Sequence, residues 1–140
     1  LLQNFSYECK KYLFKSEVTK DLKELKDFAG SIPWLIVSGG DQNELREVFK
    51  FKKLDKYFNG GIYGSPMKKV DILKSEIEKK KIKFPALFFG DSKLDYLAAK
   101  SVNIDFVFVY KWTDFKDYNS YCSNNNLRSI CSISDIIKLM

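Results

Sequence analysis

The sequence predicts an α/β fold, a parallel sheet flanked by helices. Three short apolar runs, at 34–37, 85–89 and 105–109, have the length and aromatic or branched content of buried strands. The first two stop at small residues and pass into stretches with apolar side chains three or four positions apart. Strands that alternate with helices in this way form βαβ units, whose strands run parallel.

The elements follow in order. Residues 1–16 hold Phe5, Tyr7, Tyr12, Leu13 and Phe14 without a clean period, and are expected to be the tail of a helix, a lid or a linker. From 17 to 29, Val18, Leu22, Leu25 and Phe28 lie on one helical stripe, and Gly30 is placed to end it. Pro33 opens the strand at 34–37, which stops at Ser38-Gly39-Gly40. A helix then starts near Asp41 or Gln42 and runs to about Phe51. Leu54, Tyr57 and Phe58 predict a helical turn, Asn59-Gly60-Gly61 a reverse turn, and Ile62-Tyr63 a short strand. Ser65 is expected to cap the next helix with Pro66 at its first position. That helix reaches about Lys80 and turns Val70, Leu73 and Ile77 inward. The run 85–89 is expected to be a strand buried on both faces. In the helix 93–102, Leu94, Leu97, Ala98 and Val102 form the inward stripe. A strand at 105–109 is followed by a loop, a helix, a turn at 123–126 and a last helix capped by Ser134.

The chain of 140 residues suits one core, and its 45% apolar content excludes a disordered chain. No apolar run has the length of a membrane span, and no signal-peptide pattern opens the chain. Three unevenly spaced cysteines, Cys9, Cys122 and Cys131, argue for a reducing compartment, so a cytoplasmic protein is expected. With no histidine, Ser-His and Cys-His catalysis and histidine zinc sites are excluded. The net charge of +6 comes from lysines spread over several helices. That spread reads as a solvated surface rather than a nucleic-acid face, so no nucleic-acid or membrane partner is expected. The positive field would still attract a small phosphorylated molecule.

Three features fall where strands end and helices begin, the edge of an open α/β sheet that binds ligands. Ser38-Gly39-Gly40 offers amides and a hydroxyl for an anion, although any tight turn also needs small residues. Lys68-Lys69 places cations where a helix dipole disfavours them, at about 0.3–1 kcal/mol each; they neutralise a phosphate or reach into solvent. Asp91 and Asp95, after Phe88-Phe89-Gly90, bring two carboxylates together. Either a hard divalent cation relieves them, or Asp91 caps the helix.

The order of these features resembles the haloacid dehalogenase-like superfamily over roughly residues 17–110. Ser38, in Leu35-Ile36-Val37-Ser38-Gly39-Gly40, matches the serine or threonine that ends a strand. Lys69, with Lys68 as the fallback, matches the lysine at a helix start. Gly90-Asp91-Ser92-Lys93-Leu94-Asp95 matches the acidic motif GDxxxD residue for residue. The resemblance implies a Rossmann-like parallel sheet over 17–140, with 1–16 the end of a helical cap or a linker. It implies a magnesium-dependent phosphatase acting through an aspartyl-phosphate on a small phosphorylated metabolite. Ser38 and Gly39 would then hold the phosphoryl group and Lys69 would stabilise its charge. Asp91 would bind Mg2+, and Asp95 would support the metal or orient the lysine. The family's Asp-X-Asp, which holds the nucleophile on the central strand of the sheet, is missing from residues 1–140. The chain is therefore expected to be a fragment, inactive alone, whose sheet an absent N-terminal segment completes. The other reading of that gap is a non-catalytic module that binds a phosphorylated ligand or a partner.

Overall fold

The computed structural model describes residues 21–139. The expectations for residues 1–16 and for the start of the first helix lie outside them. The described chain runs α1 (Leu22–Ala29), β1 (Leu35–Asp41), α2 (Gln42–Phe51), a 3-10 turn (Asp55–Tyr57), β2 (Gly61–Ser65) and α3 (Lys69–Glu78). It continues with β3 (Leu87–Gly90), α4 (Lys93–Ser101), β4 (Asp105–Val109), α5 (Tyr118–Asn124) and β5 (Arg128–Ile130). A 3-10 turn (Ile133–Asp135) and α6 (Ile136–Leu139) follow.

All strand pairs are parallel, as βαβ connections require. The strands form two groups, however: β1 pairs with β2, and β3, β4 and β5 form a three-stranded sheet in that order. Among the described residues, no other strand pairs with the second edge of β1 or with that of β3. What joins the two groups is packing. Leu73 of α3 and Ala98 and Ala99 of α4 form a core with Ile104, against which Val37 of β1, Phe88 of β3 and Phe106 of β4 pack. Helices α3 and α4 thus cover both groups from one side.

The free edge explains one correction. The run at 85–89 is not buried on both faces: Leu87 is 46% exposed, and Phe88 and Phe89 are half-buried. A strand is enclosed only when both edges and both faces have neighbours.

Other boundaries move for local reasons. Ser65 does not cap a helix, because it belongs to β2 and pairs with Asp41 of β1. The helix begins four residues later, with Lys68 at its N-cap. Gly30 does end α1, donating to the Lys26 and Asp27 carbonyls at φ 65°, a conformation open to glycine. Asp41 caps α2 by accepting from the Glu44 N–H at 3.0 Å. The inward face of α3 includes Ile72 and Glu76 beside Leu73. Glu76, 1% exposed, faces the ammonium groups of Lys79 at 3.6 Å and Lys81 at 3.9 Å.

The stripe expected on α4 is also corrected. Leu94 and Leu97 are 71% and 51% exposed, while Asp95, Ala98 and Ala99 are buried. The small alanines let the helix lie close against the sheet, and the leucines are turned outward. Two further features were not anticipated. β5 is a three-residue strand that pairs with β4 through Val107, Phe108 and Val109. The final turn is capped by Ser132 rather than Ser134, in a reciprocal box with Asp135.

Candidate active site

Four of the five expected site residues line one cleft of about 890 Å³: Ser38, Lys69, Asp91 and Asp95. They come from separate stretches of chain and meet because parallel strands all end on the same rim. The cleft opens between β1 and β3, with Val37 on one wall and Phe88 and Phe89 on the other.

Ser38 sits where β1 leaves its ladder. Pairing with β2 is regular from Leu35 to Val37, is lost over 38–40 and returns at Asp41. The Ser38 hydroxyl accepts from the Gly40 N–H at 3.1 Å, which leaves its own proton free to donate. Gly39, the fifth residue, lies on the same turn. A Cβ built there would touch Lys69 Cε at 3.9 Å, so Gly39 lies along the lysine stem.

Lys69 opens α3 and extends its ammonium to Asp95 Oδ1 at 2.5 Å. The fallback Lys68 is exposed and does not line the cleft. Asp95 is 5% exposed. Its second oxygen, Oδ2, accepts the Asp91 backbone N–H at 3.1 Å. The Asp95 N–H in turn donates to Ser92 Oγ at 3.2 Å, which makes Ser92 the helix cap in place of Asp91. Asp91 precedes the helix, so the two carboxylates do not share a helical face. Gly90 permits this fold-back. A Cβ at that position would come within 2.5 Å of Asp95 Cβ, so only glycine lets Asp95 tuck beneath the strand end.

Both Asp95 oxygens are thus engaged inside the protein, one with Lys69 and one with Asp91. Of the two parts expected of it, the geometry matches orienting the lysine; direct metal ligation would compete with that ion pair. Asp91 stands on the rim. Partial burial, and then the Asp95 charge, push its carboxyl above the ordinary value. A cation beside it would reverse that penalty. Magnesium takes one or two protein carboxylates and fills its other positions with water and phosphate oxygens. Asp91 fits that requirement. Among the described residues no three acidic, cysteine or histidine side chains come together, so a cage built wholly of protein ligands is not present.

Sequence reading missed the far wall of the cleft, formed by Lys111, Trp112, Ser132, Ser134, Asp135 and Lys138. Lys111 and Trp112 lie two and three residues beyond the end of β4, and that position past a strand end was the signal available for them. Thr113 Oγ1 donates to the Asp91 carbonyl at 2.6 Å and ties this loop to the acidic motif.

The family model for haloacid dehalogenase-like hydrolases matches residues 3–109. Among solved structures, a haloacid dehalogenase-like family hydrolase from Streptococcus pneumoniae superposes with a TM-score of 0.73 at 21% sequence identity. The match covers 96% of this chain and 66% of that one. No curated protein matches this sequence. Among the described residues, no helix is long and apolar enough to cross a membrane.

Proposed function

This chain belongs to the haloacid dehalogenase-like hydrolases, and we propose that it is the greater part of a magnesium-dependent phosphatase acting on a small phosphorylated metabolite. The observation that supports this reading is the meeting of Ser38, Lys69, Asp91 and Asp95 around one cleft at the strand ends. A hydroxyl donor, an ammonium and an available carboxylate at one rim are suited to a phosphoryl group and its counterion.

The roles follow from the contacts. Ser38 Oγ–H and the Gly39 amide donate to the non-bridging phosphoryl oxygens. Lys69 faces the same group and offsets its negative charge. Asp95 holds Lys69 in place and fixes the Asp91 backbone. Asp91 would hold magnesium, which when bound draws charge from the transferring phosphoryl group. Residues 1–140 contain no Asp-X-Asp to supply the nucleophile. Strands β1 and β3 each keep an edge with which no other described strand pairs, and residues of both line the cleft between them. We place there a strand from outside the described residues, carrying the aspartate on which an aspartyl-phosphate forms. On this reading residues 1–140 alone bind phosphate without turning it over, and the complete protein works in the cytoplasm.

The test is hydrolysis of p-nitrophenyl phosphate by protein expressed from the whole reading frame. Activity should require magnesium and be lost in Asp91→Ala; retention in that variant would refute the assignment. The missing Asp-X-Asp favours one other reading, a module that binds a phosphorylated ligand without turnover. Saturable phosphate binding with no hydrolysis by the same protein would select it.

A further inference from the structure

The phosphate contacts leave one wall of the cleft unused. Lys111 and Trp112 line it. Trp112 is 67% exposed, and the Lys111 ammonium lies 5.2 Å from the centre of its ring. An indole is among the most favourable groups to bury, so leaving one open to solvent beside charged groups is the composition of a ligand wall. The loop that carries it is held in place. Thr113 Oγ1 donates to the Asp91 carbonyl and accepts from the Phe115 N–H at 3.1 Å. The residue next to the indole is therefore tied to Asp91, and through Asp95 to Lys69.

We propose that Trp112, flanked by Lys111, receives the non-phosphate part of the substrate and that this part is a planar aromatic ring. The substrate class would be phosphomonoesters of aromatic or heteroaromatic groups. The inference rests on the phosphatase reading and narrows it. With the phosphoryl group between Ser38 and Lys69, the ester group extends along the far wall. A flat ring there stacks on the indole whatever its substituents, because every aromatic ring offers a π-face. An aliphatic ester makes the phosphate contacts and gains nothing from Trp112.

The test uses protein expressed from the whole reading frame, kept free of divalent cations so that bound esters are not turned over. Phenyl phosphate, glycerol 3-phosphate and inorganic phosphate are titrated by calorimetry. Phenyl phosphate should bind about fivefold to a hundredfold more tightly than glycerol 3-phosphate. Trp112→Ala should erase that preference, both esters then binding like inorganic phosphate, while Trp112→Phe keeps most of it. Equal affinity for the two esters, or a preference that survives Trp112→Ala, overturns the proposal and leaves the phosphate site standing. Failure of all three ligands to bind overturns the phosphatase reading and this inference with it.

Discussion

Asp95 is the residue whose removal should disturb the site most. It is 5% exposed and carries a charge, accepting from Lys69 Nζ at 2.5 Å and from the Asp91 N–H at 3.1 Å. Asp95→Ala leaves the Lys69 ammonium without its counter-charge and the Asp91 amide without an acceptor. Losing one partner of a buried ion pair costs about 3–5 kcal/mol, but the Lys69 side chain is 24% exposed and water recovers part of this. With about 1–3 kcal/mol for a stranded amide as the other bound, the expected loss is about 2–4 kcal/mol. At a urea m-value of about 2 kcal/mol/M, the unfolding midpoint should fall by about 1–2 M. Asp95→Asn keeps an acceptor for the Asp91 amide and should lose less. Lys69→Met completes a double-mutant cycle, in which the pair should show a coupling of about 1–3 kcal/mol. If the two single losses simply add in the double variant, Asp95 does not hold Lys69 and the described arrangement is wrong.

Further outcomes follow from the same contacts. Gly90→Ala forces Asp95 away from the strand end and should cost about 1–3 kcal/mol in a urea melt, as overpacking does. It should also weaken inorganic phosphate binding, since Asp95 can no longer hold Lys69. On α4, Leu94→Gln should change stability by no more than about 0.5 kcal/mol, whereas Ala99→Leu should lose about 1–3 kcal/mol; the reverse ranking in thermal melts would restore the leucine stripe as the inward face. The Ser132 N–H, and after it Lys138, hold the Asp135 carboxyl below its ordinary value. The unfolded chain then binds the proton more readily, so this stabilisation is present above the unfolded carboxylate value and is lost as pH falls through the depressed one. Asp135→Asn should flatten that acid limb in melts across pH, and an unchanged limb would show that the box does not hold the charge.

The class of the fold and the residues that line the candidate site were legible in the sequence because both rest on local order. The strand at 105–109 has the expected bounds, and the passage from strand to helix at 90–93 is where the glycine and carboxylates indicated, whereas β1 runs on to Asp41, past the expected stop at Val37. Side-chain type and spacing decide such features within a few residues, and in a parallel sheet every strand-to-helix turn reaches the same rim. What the listing of residues could not decide was which groups would be neighbours. Asp95 pairs with Lys69 across 26 positions, and α4 buries a carboxylate and two alanines in place of its leucines. Those outcomes depend on the space beneath Gly90 and on the approach of α3, neither of which has a period in the sequence. β5 escaped notice because Arg128 and Ser129 carry no strand signal, and only pairing with β4 makes them one. Trp112 was an aromatic in a loop until folding brought it beside Asp91. The spacing of residues along the chain determined the elements and their order; contacts between elements, which depend on shape and free volume, determined which charge is held, which apolar group stays open and what the cleft can receive.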